Sequence, residues 1–403
     1  MSKKEKECLE NTILEALQEF CATFSYSLDL SNLATQVWHE PVYYDKVAAE
    51  RVVDLFMSDC QISDNFMPGD VEQMIANRMV DAHVRNEQSF DDAARTVINM
   101  LLNSQPETMN VYMPVHGVSI SAGQKWSLGH FVFMAKDAFD ALGIKGWSPK
   151  AVDFIKANTS ERNPIVMVPV CACTPQKARE KATEEFQWLE NAIRFFTDFN
   201  VLGITTSNLA WIENSIVTQA NGILRGTKFQ FNGFPSPMPL DKLLDAESTK
   251  IISDLSDSAK DTTEYRKRIR HAIYLGGLSV HETTPSVSFL LGIVALEALF
   301  QADADKYVSP GIAQQILEAI CYLIIEPKSR RIAFEELRSF YGKRSAIAHG
   351  GKSEIHENDA KLARKYLRKA IVKLLTDPEL ANIRTPQDIT SRIKDLKFGK
   401  KPE

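Results

Sequence analysis

The spacing of apolar residues changes twice along this chain, and that change constrains the fold more than any other feature. Residues 1–105 carry apolar side chains such as Ile13 and Leu17 at helical spacing. Near residue 110 the pattern becomes short runs of β-branched and aromatic residues, which are typical of strands. From residue 262 onward the helical spacing returns. We therefore predict an α+β fold.

Four regions follow from these changes. They are a helical N-terminal region (1–105), a mixed α/β domain (106–261) that ends in a linker (241–261), a helical bundle (262–380) and a basic C-terminal tail (381–403). The loops between the bundle helices are short, so neighbouring helices should pack antiparallel. A length of 403 residues suits two or three domains.

Individual elements can also be predicted. The expected helices span 7–24, 47–57, 71–84, 90–102, 265–280, 287–301, 312–325, 332–348 and 358–375. The expected strands lie on both sides of a hairpin turn at Ala122-Gly123, over 165–173, over 202–206 and over 222–231. Pro169 implies an edge or a bulge in its strand. Thr174-Pro175 is a strong helix start, because Thr caps the helix and Pro needs no N–H partner in the first turn; about 24 helical residues should follow.

The net charge of −5 hides a split between the two parts of the chain. Residues 262–403 contain 24 Lys and Arg against 17 Asp and Glu, a net charge of +7. Residues 1–261 contain 23 against 35, a net charge of −12. The basic part is the candidate for contact with a phosphate backbone, and the acidic part is a candidate for shielding it.

Several classes of protein are disfavoured by the sequence. The N-terminus does not resemble a secretory signal, and the most apolar stretch, 288–300, is 13 residues long and contains Glu297, too short and polar to span a bilayer. The six cysteines are scattered, and no cofactor motif or metal-site spacing is present. We expect a cytoplasmic protein with no membrane contact, no metal and no cofactor.

An Arg followed five residues later by His is the candidate catalytic signal. The chain contains three such pairs, Arg78/His83, Arg266/His271 and Arg344/His349, whereas about one Arg-His pair with four to six residues between its members is expected by chance. Spacing alone therefore does not choose between them. The third pair lies in the basic helical part, within Tyr341-Gly-Lys-Arg-Ser-Ala-Ile-Ala-His-Gly-Gly351, and follows an apolar helix containing Ala295-Leu-Glu-Ala-Leu-Phe300.

These two phrases, in this order and spacing, resemble the HEPN superfamily, and in particular its ApeA-like branch found in bacterial anti-phage proteins. The resemblance covers about residues 262–380 and implies an all-α HEPN-like bundle. It implies that Arg344 and His349 cleave RNA without metal, and that two subunits share a composite cleft in a homodimer. It also implies a role in abortive infection, with an unknown trigger, such as a phage component, acting on residues 1–261.

The chemistry fits these residue types independently of the resemblance. Attack of an RNA 2′-hydroxyl on its own 3′-phosphate needs a proton carrier, which His provides, and a cation at the phosphate, which Arg provides. The products would be a 2′,3′-cyclic phosphate and a 5′-hydroxyl. Five helix positions turn about 140° modulo one turn, so either a helix end at Gly350-Gly351 or a second subunit must bring an Arg and a His together.

Further residues are predicted to support this site. Glu297 is expected to orient Arg344, Tyr341 and Lys343 to line the cleft, and Ser345 stands where many active members carry Asn, Asp or His. The predicted RNA-binding residues are Arg266, Lys267, Arg268, Arg270, Lys365 and Arg368. Two alternatives remain: a catalytically inactive HEPN module that binds RNA or dimerises, and a protein-interaction scaffold.

Overall fold

The computed structural model describes residues 3–24, 44–83, 89–146, 164–200, 202–204, 215–220, 222, 224–228, 237–256, 263–301, 311–348, 354–380 and 383–398. Its N-terminal region consists of α1 (Lys3–Cys21), α2 (Lys46–Met57), α3 (Cys60–Asn65), α4 (Pro68–His83) and α5 (Phe90–Asn103). These helices enclose their own apolar core, which includes Leu17, Phe20 and Phe56. The predicted helical N-terminal region is confirmed, and α3 is an addition to it.

A six-stranded antiparallel sheet follows in the described part of the chain. The described part of the chain has eight strands, of which six form this sheet. They are β1 (Glu107–Pro114), β2 (Val118–Ser119), β3 (Lys125–Leu128), β4 (Phe131–Met134), β5 (Ile165–Ala172), β6 (Ser215–Gln219), β7 (Leu224–Lys228) and β8 (Met238–Pro239). The sheet has the order β3-β4-β5-β1-β6-β7, and β2 pairs separately with β8. A short helix, α6 (Lys136–Asp140), follows β4.

The predicted hairpin at Ala122-Gly123 is wrong. Strand β1 pairs with β5 and β6, while the hairpin joins β3 to β4 and turns at Gly129. Gly129 has a φ of 64°, and a Cβ there would lie 1.8 Å from the Ser256 hydroxyl oxygen, so the turn requires glycine both for its backbone and for close packing. The predicted strand at 202–206 is only a bridge between Gly203 and His116 in its described part.

Pro169 lies where its missing N–H is tolerated. Its strand β5 is central in the sheet, but the pairing with β4 ends at Met167, so the β4 side of Pro169 has no ladder partner among the described strands. On the other side Pro169 lies opposite Asn110 of β1. Pro169 therefore lies at an edge only on the β4 side of β5, beyond the last residue that pairs with β4.

Helix α7 (Pro175–Thr197) connects the sheet to the rest of the molecule. It begins as predicted, with Thr174 accepting a hydrogen bond from the Lys177 N–H at 3.2 Å and Pro175 in the first turn, and it has 23 residues. One side covers β5 and β1, and the other packs against the next long helix. Burial on both sides explains why Glu190 and Arg194, each with a 1 % exposed side chain, form an ion pair inside the protein.

Helices make up the remainder of the described chain. They are α8 (Leu240–Leu243), α9 (Ala246–Ser256), α10 (Glu264–His281), α11 (Pro285–Phe300), α12 (Ile312–Ala319), α13 (Arg330–Ala348), α14 (Glu357–Thr376) and α15 (Pro386–Lys397). A π-helical turn, Ile320–Ile324, extends α12, and two 3-10 turns are Pro327–Ser329 and Pro378–Leu380. The five predicted bundle helices are present. None of the helices described is long and apolar enough to cross a membrane.

Two segments differ from the sequence prediction. The expected linker forms α8 and α9, because Ile251, Ile252 and Leu255 are buried against α7 and the sheet. The expected basic tail contains α15, which buries Ile389 and Ile393 against the bundle.

One apolar core continues across the predicted boundary at 261/262. Helix α10 approaches α7 so closely that a Cβ on Gly277 would lie 2.1 Å from the Asn191 carbonyl oxygen, and one on Gly276 would lie 2.5 Å from the Phe195 ring. The sheet, α7 and the helical bundle therefore pack as one unit.

Candidate active site

The predicted site residues Arg344 and Glu297 are brought together by α13 and α11. Arg344 Nε lies 3.5 Å from Glu297 Oε1. The Glu297 side chain is 13 % exposed and belongs to an otherwise apolar helix, whereas Arg344 is 41 % exposed. A carboxylate in such surroundings requires a cation, and Arg344 supplies it while its own side chain stays partly exposed to solvent.

Tyr341 lies one helical turn before Arg344. Burial of its hydroxyl raises the pKa of Tyr341, the charge of Glu297 raises it further, and Arg344 partly opposes both. The hydroxyl has no hydrogen-bond partner among the residues that the structure describes. A neutral, buried phenol beside a carboxylate and a guanidinium can donate a hydrogen bond but cannot act as a base at neutral pH.

Lys343 has a different environment from the one predicted for it. Its Nζ lies 2.6 Å from Asp359 Oδ1, so it joins α13 to the first turn of α14. Burial opposes ionisation of Asp359, but hydrogen bonds from Lys343 and from the His356 N–H outweigh this effect and lower its pKa. Lys343 thus fixes the two helices beside Arg344 rather than lining an open cleft.

Two other predicted residues complete the description of this region. Ser345 is exposed on α13. His349 follows Ala348, the last described residue of α13, and lies outside the described residues. Its catalytic pairing with Arg344 therefore remains a prediction.

The arginines of α10 are engaged within the protein. Arg266 donates to the Asp254 carbonyl oxygen at 2.7 Å, and Arg268 donates to the Gln301 carbonyl oxygen at 2.7 Å. Arg270 lies 4.1 Å from the centre of the Trp188 ring. It also binds the Leu255 and Ser256 carbonyl oxygens and pairs with Glu185 at 3.1 Å. The predicted RNA patch is thus not one exposed surface, although Lys267 is exposed.

The two predicted RNA-binding residues of α14 differ from each other. Lys365 is exposed. Arg368 donates to the Phe195 carbonyl oxygen and lies 3.2 Å from Asp198 Oδ2 at the end of α7. The neighbouring Arg364 is buried and binds Ser279 and Ser288. The acidic first part of the chain therefore neutralises some of the positive charge of the second part.

The structure adds features that sequence reasoning missed. The signal for Asp359 is an acidic residue in the first turn of α14, where its carboxylate accepts a hydrogen bond from the His356 N–H at 3.0 Å. An apolar stripe on α11 flanks Glu297: Val287 and Val294 are each 41 % exposed, Leu290 and Leu291 are half-buried between them, and the half-buried Ala298 lies one turn beyond Val294. The sequence feature that indicates this stripe is the distribution of apolar residues on every side of α11.

Comparisons of the chain with protein-family models, with curated proteins and with solved structures gave no match.

Proposed function

We propose that this protein is a metal-independent endoribonuclease of the HEPN type that leaves 2′,3′-cyclic phosphate and 5′-hydroxyl ends. The observation that carries the proposal is the Glu297–Arg344 pair. It holds a partly exposed arginine five residues before His349 in the sequence. The phrase around this pair is the one that resembles the ApeA-like HEPN domain.

Each residue has a distinct part in the proposed reaction. Arg344 binds the scissile phosphate and stabilises the charge of the phosphorane, since guanidinium binds phosphate bidentately and remains charged. Glu297 is a positioning residue, because its carboxylate holds the Nε side of Arg344 at 3.5 Å. The buried, neutral Tyr341 hydroxyl lies beside this pair rather than at the surface that the phosphate would reach. His349 transfers the proton.

We propose a homodimer whose interface includes the apolar stripe of α11. The exposed faces of Val287 and Val294 lie on the helix that carries Glu297, and a second copy covering them would remove apolar surface from water. Such packing would place the Arg344 side chains of both subunits near one two-fold axis. Val294→Asp should give a monomer by light scattering, whereas the control Ile332→Asp, at a 65 % exposed position on α13, should not.

We propose that the nuclease acts in defence against phage and is restrained by residues 1–261 until a trigger binds there. The support is mechanical, because α7 belongs to the same core as the sheet and the bundle. A movement of α7 would reach α10 through the tight Gly277 contact.

The test is RNA cleavage in excess chelator, with analysis of the cut ends. Wild type and the control Arg338→Ala, which changes another exposed arginine of α13, should cleave RNA. Arg344→Ala and His349→Ala should lose at least 100-fold in cleavage rate while remaining folded dimers. The expected ends are cyclic phosphates.

Other outcomes would contradict the proposal. RNA binding without any cut, under conditions that activate the protein in cells, would favour an inactive binding module. Protection of cells by a wild-type protein that neither binds nor cuts RNA would favour the protein-interaction scaffold.

A further inference from the structure

A groove of about 610 Å³ runs along the exposed side of α14. Its lining residues are Lys365, Arg368, Lys369, Val372, Lys373, Thr376 and Asp377. Lys365, Lys369 and Lys373 are four residues apart, so they form one row with about 6 Å of helix rise between neighbours.

Two lysines of this row differ in their pairing from other lysines of α14. Lys361 pairs with Glu357 at 2.6 Å, and Lys373 lies 3.8 Å from Asp377. Within the described ranges of the chain, Lys365 and Lys369 have no ion-pair partner. Like charges four residues apart on a helix repel each other, so an anion bound in the groove would relieve an unfavourable arrangement.

Asp198 places a carboxylate beside the same groove. It ends α7 with a φ of 52°, and its side chain is 52 % exposed. Its Oδ2 lies 3.2 Å from Arg368 Nη2, and its Oδ1 lies 3.5 Å from Arg364 Nε. A phosphate in the groove would bind the same Arg368 guanidinium.

We propose that this groove binds the phosphate backbone of single-stranded RNA and that Asp198 is an internal competitor for Arg368. The identity of the polyanion rests on the proposed nuclease function. A row of separated point charges suits a repeating polyanion, and Val372 is the one apolar side chain in the described lining, which gives a folded protein partner little to anchor on.

The groove lies on the same helix as Asp359, the partner of Lys343. Lys365 is six residues, or about 9 Å of helix rise, beyond Asp359. Asp359 binds Lys343, the neighbour of Arg344. Six helix positions also turn about 240°, so RNA in the groove must cross to another face of α14 on its way toward Arg344.

The test measures binding of a fluorescent 20-nucleotide RNA to the full chain carrying His349→Ala, over a series of salt concentrations. Adding Lys365→Gln and Lys369→Gln should weaken RNA binding about tenfold at low salt. The slope of the logarithm of the binding constant against the logarithm of the salt concentration should become shallower by about 1.4, because each phosphate contact to a single strand contributes about 0.7. Asp198→Asn should strengthen binding about fivefold, because asparagine tolerates the left-handed backbone while the competing charge is removed. Lys394→Gln and Asp241→Asn, at exposed positions, are the matched controls.

Each outcome is distinguishable once thermal unfolding has shown that the variants are folded. RNA affinity unchanged by the two lysine substitutions would refute the proposal that RNA binds in this groove. If the lysine variant binds RNA more weakly but Asp198→Asn binds it no more tightly, Asp198 does not compete with RNA for Arg368. Binding of poly-glutamate in place of RNA would show that the partner class is wrong. Lysine-dependent RNA binding by a wild type that never cleaves RNA would contradict the nuclease and leave the groove standing.

Discussion

Gly277→Ala tests the packing that joins the sheet to the helical bundle. The new Cβ would lie 2.1 Å from the Asn191 carbonyl oxygen and 2.5 Å from the Asn191 Cα. Carbon atoms in contact are about 3.5 Å apart or more, so the backbone of α7 must move by about 1 Å. Because that backbone is buried between the sheet and α10, it cannot move independently.

The expected loss follows from two opposing effects. Overpacking against a fixed backbone costs about 3 kcal/mol, the upper part of the usual range. Alanine offsets about 1 kcal/mol of this through its higher helix propensity. The net destabilisation should therefore be about 2 kcal/mol. Gly342→Ala on α13 is the control, because no atom lies within 4 Å of its Cβ; it should stabilise the protein by about 0.5–1 kcal/mol.

The assay is urea unfolding followed by circular dichroism and by tryptophan fluorescence. Gly277→Ala should lower the unfolding midpoint of the sheet and the bundle together, since they share a core. The separate core of α1–α5 makes a second transition possible, so the two must be fitted separately. A Gly277→Ala protein as stable as wild type, or stabilised like Gly342→Ala, would refute the close approach of α7 and α10.

Three further outcomes are expected. Burial lowers the pKa of His116 to about 3, so the unfolded chain takes up a proton below about pH 6.5 that the folded chain excludes. His116 should by itself lower the free energy of unfolding by about 2 kcal/mol between pH 7 and pH 5, and a smaller fall in His116→Gln would identify the group. Thr174→Ala removes the α7 cap and its hydrogen bond to Asp70 and should lower stability by about 1–2 kcal/mol in thermal melts; no change would contradict the cap. Glu297→Gln should change stability by less than about 1 kcal/mol, because Arg344 is partly exposed, yet lower the kcat of RNA cleavage about tenfold; unchanged kcat would exclude a positioning role.

The charge split between the two parts of the chain has a partly internal explanation. Glu185 and Asp198 of the acidic part pair with Arg270 and Arg368 of the basic part. Some of the excess positive charge is therefore matched inside the protein. Lys365 and Lys369 are exposed and have no ion-pair partner among the described residues, so their charges are not matched in this way.

Local signals in the sequence determined the helices and their order. The Thr174-Pro175 start of α7, the bundle helices and the proximity expected for Glu297 and Arg344 all follow from residues within a few turns of one another or from a buried charge that needs a partner. Such signals are visible in a sequence because capping and helical periodicity act over short distances along the chain.

How distant segments of the chain meet is visible in the folded protein and not in its sequence. Strand β1 pairs with β5 and β6 rather than with its neighbour, and Arg270 binds the end of α9 and the Trp188 ring instead of solvent. Periodicity identifies which side of a strand is buried, but not which strand lies beside it. The sequence also does not show whether the N–H groups of an arginine bind carbonyl oxygens of the protein or phosphates of a ligand. The answer depends on acceptor atoms that folding brings close from distant parts of the chain.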